Sequence, residues 1–156
     1  MTVAMRAHRW LGTASILAAC GTDGLVAVGT GRDDDRIPLR LVRELRQPDS
    51  TQTPVTIVAA SITGDTLYLR FEYAGGCGAH EFGLAASTRL VESEPPQVTM
   101  ILRHDTGDHC RAGLGSNVVA SLEPLQRIAG SHTALRIRLY EPWALAPVET
   151  SLIYRF

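Results

Sequence analysis

The sequence contains no lysine: all 15 of its basic side chains are arginine. Two readings of that stand. One is GC-rich codon usage. The other is a surface chosen for the planar fork with which guanidinium meets carboxylate or phosphate. Nothing along the sequence clusters the arginines. A strong net charge is also lacking, the formal value being −1. So mild a charge does not imply a nucleic-acid partner, which needs a basic face, and the chain is no acidic disordered tail. There is no CxxC pair and no finger spacing of cysteine and histidine. The run Asp33-Asp34-Asp35 lacks the alternating carboxylates of an EF-hand loop and reads as a solvated linker. Ser87, Ser116 and Ser121 carry no nucleophile elbow or other mark of activation. No repeat, low-complexity tract or second domain is visible. At 156 residues one domain is the natural expectation, and it is long enough to bury a real core.

What is present begins with the N-terminus. Arg6, His8 and Arg9 form a positive start, and Trp10 to Ala19 is a short, mostly apolar run. This is signal-peptide architecture, too short for a stable membrane-spanning helix. The run ends in Leu17-Ala18-Ala19-Cys20, which resembles the bacterial lipobox. The resemblance implies cleavage after residue 19, a diacylglycerol thioether on Cys20 and an acylated N-terminus, so that the lipid bilayer is one partner. Several acyl chains anchor far more firmly than one. Cleavage would also take the net charge to −3. No aspartate follows Cys20, which in lipoproteins of enterobacterial type directs the chain to the outer membrane. Residues 20–53 then read as the lipidated N-terminus and a glycine-loosened tether. Within them Ile37 to Leu45 fits either a first strand or a short helix.

From residue 54 to 156 the pattern is β. Thr66 to Tyr73 places Leu67, Leu69, Phe71 and Tyr73 on one face and Tyr68, Arg70 and Glu72 on the other. That period of two marks a half-buried strand. Val55 to Ile62 precedes it across Thr63-Gly64-Asp65, which predicts an antiparallel hairpin. Further strands are expected over 81–88, 97–104, 117–122, 133–140 and 151–156, with a helical turn over 124–128. In Thr133 to Tyr140, Leu135, Ile137 and Leu139 point in, and Arg136 and Arg138 form a solvated face. Trp143 reads as a loop anchor. About seven short strands with little helix predict an all-β fold: an antiparallel β-sandwich, immunoglobulin-like, or a small barrel.

With Cys20 given to the lipid, Cys77 and Cys110 remain as a pair. In an oxidising envelope compartment a disulfide is the expectation. Closing a loop of about 30 residues contributes roughly 3–4 kcal/mol in the chain-entropy account. Polar residues gather in sequence around both cysteines: Gly75-Gly76-Cys77-Gly78-Ala79-His80 and His104-Asp105-Thr106-Gly107-Asp108-His109-Cys110. A disulfide brings the blocks together. His80, His104, Asp105, Asp108 and His109 then form a candidate ligand set for zinc or another divalent ion, since imidazole and carboxylate suit such ions. The other reading is structural. Asp and Gly supply tight-turn chemistry, and a histidine at a strand end hydrogen-bonds the backbone.

The blocks Gly-Gly-Cys-x-x-His-x-Phe-x-Leu, here Gly75 to Leu84, and His-Asp-x-x-Asp-x-Cys-x-Ala, here His104 to Ala112, resemble a pattern of the NigD-like bacterial lipoproteins. Leu122-Glu123-Pro124-Leu125 is similar to their closing element. Arg111 stands where that pattern leads one to expect an acidic residue. The resemblance implies a β-sandwich and a lipid anchor, and no activity. The expectation is therefore a membrane-anchored, non-catalytic module that binds an envelope protein, a glycan or a small ligand. One alternative is a metal-binding lipoprotein using His80 and the 104–109 turn. Another is an envelope hydrolase with His80 or His109 as base. No cofactor is expected beyond that divalent ion.

Overall fold

Alternation decides the longest strands. In a computed structural model of the chain, which describes residues 35–46, 54–141 and 149–156, eight strands and one short helix form. Cys20, Asp33, Asp34 and Trp143 lie outside the described residues. Strand β3 (Thr66–Gly75) buries Leu67, Leu69 and Phe71 and exposes Tyr68, Arg70 and Glu72, as its period of two predicts. It pairs with β2 (Val55–Thr63) in an antiparallel hairpin whose last pair is Thr63 with Thr66. Gly64, at φ 53°, supplies the left-handed conformation that this two-residue loop demands. The other edge of β3 pairs with β6 (Ala112–Ser121), completing a three-stranded sheet in the order β2-β3-β6.

The second sheet has five strands, in the order β1-β4-β5-β7-β8. They are β1 (Leu39–Val42), β4 (His80–Ser87), β5 (Gln97–Thr106), β7 (Ala134–Tyr140) and β8 (Glu149–Arg155). Of the ambiguous stretch Ile37 to Leu45, Leu39–Val42 is a strand, and the described fold takes in residues 35–46. Just ahead of β1, Ile37 N–H donates to Val119 O of β6 at 2.9 Å, so this entry segment touches both sheets.

The expected two-layer β fold is present, open rather than closed into a barrel, but not every pairing is antiparallel. β1 runs parallel to β4, and β5 runs parallel to β7. The reason is connectivity. Between β1 and β4 the chain crosses to build β2 and β3, and between β5 and β7 it crosses to build β6. Parallel neighbours need such a long crossover. Strand β6 also starts at Ala112, five residues ahead of the expected Asn117. Ala112-Gly113-Leu114-Gly115 carries no strand signal of its own; its ladder to Gly75–Glu72 of β3 makes it one.

The core lies between the sheets. Phe71, Leu84, Met100, Val118, Leu135, Ile137 and Leu139 belong to one buried cluster. Helix α1 (Glu123–Gln126), with Pro124 in its first turn, tucks Leu122 and Leu125 under the same core. At that end Tyr154 is fully buried and donates its hydroxyl to Asp65 at 2.6 Å. Burial, then the Asp65 hydrogen bond, push that phenol up to about 12. Arg136 and Arg138 stand on the outer face as expected, though half-buried rather than fully solvated. Among the described residues no helix is long and apolar enough to cross a membrane.

Candidate functional site

The disulfide forms as the cysteine count predicts. Cys77 and Cys110 are bonded, with Cα atoms 5.8 Å apart. The bond joins the β3–β4 loop to the β5–β6 loop at one end of the sandwich. Asp108 does the rest of the joining. Its Oδ2 accepts from Cys77 N–H at 2.7 Å and from Gly78 N–H at 3.1 Å. Its Oδ1 accepts from Cys110 N–H at 2.7 Å. Thr106 Oγ1 adds a further tie, accepting from Asp108 N–H and donating to Ala79 O. One carboxylate therefore holds both cysteine backbones.

Those bonds require the ionised form. The N–H groups of Cys110 and Cys77, with Gly78 and Gly76 behind them, lower the Asp108 carboxyl to about 2 against partial desolvation. The folded value lies below the ordinary 3.8, so the stabilisation is present above that ordinary value and is lost as pH falls towards about 2. The expected result is a loss of wild-type stability across that window that is smaller in Asp108→Asn. Chemical denaturation at stepped pH measures it. Equal slopes in the two proteins would contradict the role of Asp108 as an ionised clamp.

His80 sits beside this carboxylate, at the start of β4. Its Nε2 lies 3.4 Å from Asp108 Oδ2, and the two side chains are 10% and 1% exposed. Its Nδ1 lies 2.9 Å from Nε2 of His104, which is fully buried on β5. One ring donates there and the other accepts. Around the pair stand Tyr73 and Phe82. Tyr73 meets both imidazoles edge-on with centroids 4.9 Å away, and Phe82 stacks on His104 at 4.7 Å. Tyr73 comes from the other sheet, so the cluster closes the open end of the sandwich.

The five residues expected as ligands do not gather on one point. His104 and Asp108 address opposite nitrogens of the His80 ring, which cannot both reach one ion. The separation between His80 and His104 is a hydrogen-bond distance. Zinc would instead stand about 2.0–2.1 Å from each nitrogen. Asp105 and His109 are exposed. Asp105 does line, with His80, an open cleft of about 800 Å³ beside β1 and β4. Among the described residues, the atoms that do come within 4.8 Å of one another are those of Cys77, Asp108 and Cys110. Two of those are sulfurs already bonded together. The arrangement is that of a hydrogen-bonded clamp. Two of the three serines are occupied locally: Ser87 Oγ accepts from Arg89 N–H, and Ser121 Oγ accepts from Glu123 N–H.

Gly75 is the residue that sequence reasoning passed over. It is buried, and a Cβ there would strike Cε1 of His80 and come within 2.7 Å of Nε2 and 3.3 Å of Asp108 Oδ2. Its bare backbone is what lets His80 lie across the strand end. The double glycine before Cys77 was the available signal. Gly75→Ala is expected to destabilise by about 1–3 kcal/mol, the usual cost of overpacking. The effect should shrink in the Gly75→Ala/His80→Ala double variant, because the obstructing ring is gone. A double-mutant cycle by urea denaturation checks this; simple additivity would contradict the contact.

No family model matches the chain. No curated protein matches it in sequence. Solved structures do share its fold. A candidate lipoprotein from Bacteroides fragilis is 12% identical with a TM-score of 0.52, covering 78% of this chain and 70% of its own. A NigD-like immunity protein from Bacteroides caccae is 18% identical at 0.52, covering 76% and 63%. A candidate toxin-related protein from Parabacteroides distasonis is 19% identical at 0.51, covering 76% and 61%. The chain thus spans less than two thirds of the latter two. At these identities the likeness is one of fold, and the fold shared is a two-sheet β-sandwich.

Proposed function

We propose that the chain is a bacterial envelope lipoprotein, held at the membrane through Cys20, whose described part is a non-catalytic binding domain. The tether rests on the lipobox-like Leu17-Ala18-Ala19-Cys20. The likeness of fold to a candidate lipoprotein and to a NigD-like protein supports it. The observation that carries the non-catalytic reading is the use made of His80. Its Nδ1 is engaged by Nε2 of His104 at 2.9 Å, and its Nε2 is shielded from solvent 3.4 Å from Asp108 Oδ2, whereas a general base must reach its substrate. The nearby carboxylate is spent on backbone N–H groups. Among the described residues, clefts lie open beside β1.

Labelling with a palmitate analogue, followed by fractionation of the wild type and Cys20→Ser, tests the tether. The expected result is a labelled wild type in the membrane fraction and an unlabelled variant released from it. Unlabelled wild type, or a variant that stays with the membrane, overturns it.

A further inference from the structure

We infer that the outer face of the five-stranded sheet carries a binding groove for a phosphate-bearing ligand, built by Arg43, Arg46, Arg89 and Arg103. The inference rests on reading the domain as a binding module and names the class of ligand. The arginines are scattered in sequence, and the fold groups them. Parallel pairing sets Val42 opposite Ser87, and Thr88 N–H donates to Val42 O at 2.8 Å. The segment after β1, with Arg43 and Arg46, therefore leaves the sheet beside the segment after β4, with Arg89. Arg103 rises from the neighbouring β5, opposite Gly83, whose missing side chain leaves open space there. Together they line an open groove of about 900 Å³, with Ala85 and Ile101 at its floor. Both floor residues are buried yet lie outside the inter-sheet core.

The charge is lopsided. Four guanidinium groups face one carboxylate, Glu44, in a chain whose net charge is −1. Among the described residues Glu44 pairs only with Arg89, at 3.3 Å, and both side chains are well exposed. Arg43, Arg46 and Arg103 have no carboxylate partner among the described residues. Arg103 is half-buried, and among the described residues its Nε has no acceptor. A buried donor without a partner is unfavourable, and an oxyanion is the acceptor a guanidinium edge is shaped to meet. Arg103 also borders the cleft that Glu81 and Asp105 line, but three cations without a direct ion pair still favour a multiply charged anion, and the groove's size suits an organic ligand rather than a lone ion.

Calorimetric titration of the purified chain with pyrophosphate, at low and high salt, tests this. Vesicles of phosphatidylglycerol, against phosphatidylcholine, form the second arm. The expected result is binding that weakens with salt and falls at least about tenfold in Arg43→Gln/Arg103→Gln. Arg70→Gln, on the exposed face of the other sheet, should leave it unchanged. Retention on phosphatidylglycerol that pyrophosphate displaces identifies a lipid headgroup as the source, and pyrophosphate binding without retention identifies a free phosphorylated ligand. Either outcome supports the groove. No binding at millimolar pyrophosphate together with no retention overturns it, as does an equal loss in Arg70→Gln. The binding is read in solution, so its failure leaves the Cys20 tether standing, and failure of the tether leaves the groove standing.

Discussion

Replacing Cys77 and Cys110 together by alanine is expected to lower stability by roughly 4 kcal/mol and the melting temperature on the order of 15 °C. The bond closes a loop spanning a sequence separation of 33 residues, and its main effect is to restrict the unfolded chain. Both loop ends carry polar, glycine-rich sequence with little apolar surface to bury. Without the bond, Asp108 remains to hold the two loops, through three backbone N–H groups. The variant should therefore fold at low temperature. Reduction of the wild type should reproduce the loss. A change below about 1 kcal/mol by either route would mean that the Asp108 clamp alone sets the corner and that the disulfide adds little to it.

Phe71→Ala is expected to cost about 3–5 kcal/mol, the range for removing a buried aromatic ring. Phe71 is fully buried at the centre of β3. Its ring meets Phe82 of the opposite sheet edge-on at 4.8 Å and Tyr73 at 6.0 Å. It is thus the link between the inter-sheet core and the aromatic–imidazole cluster at the disulfide end. Phe82 is only half-buried, so Phe82→Ala should cost clearly less. Urea denaturation of the two variants measures both. Equal losses would contradict the placement of Phe71 as the joint between the two clusters.

Much of this fold was legible in the sequence. Strands β3 and β7 are amphipathic at period two, and their buried sets are those the alternation picks out. The cysteine pairing followed from counting, once one cysteine was assigned elsewhere. Other features were not legible, for physical reasons. The start of β6 has no β-branched or aromatic residues, and only its partner strand fixes it. The parallel pairings follow from which sheet each strand joins, which no local pattern encodes. His80, His104 and Asp108 do meet in space. Whether such residues bind an ion or one another depends on which ring nitrogen faces which group, and that needs coordinates. The arginine groove was invisible because Arg43, Arg46, Arg89 and Arg103 come from three separate segments. Only the β1–β4–β5 register makes them neighbours.

The central claim is that the disulfide corner is scaffolding and that ligand recognition belongs to the open sheet face. Nuclear magnetic resonance of the isotope-labelled chain, titrated with pyrophosphate, tests this most directly, because arginine Nε–H and histidine ring signals report on the two places separately. The predicted result is a set of shifts at the side chains of Arg43, Arg46, Arg89 and Arg103, with His80 and His104 unmoved. Shifts confined to the histidines and the Asp108 backbone, or none at all, would contradict it.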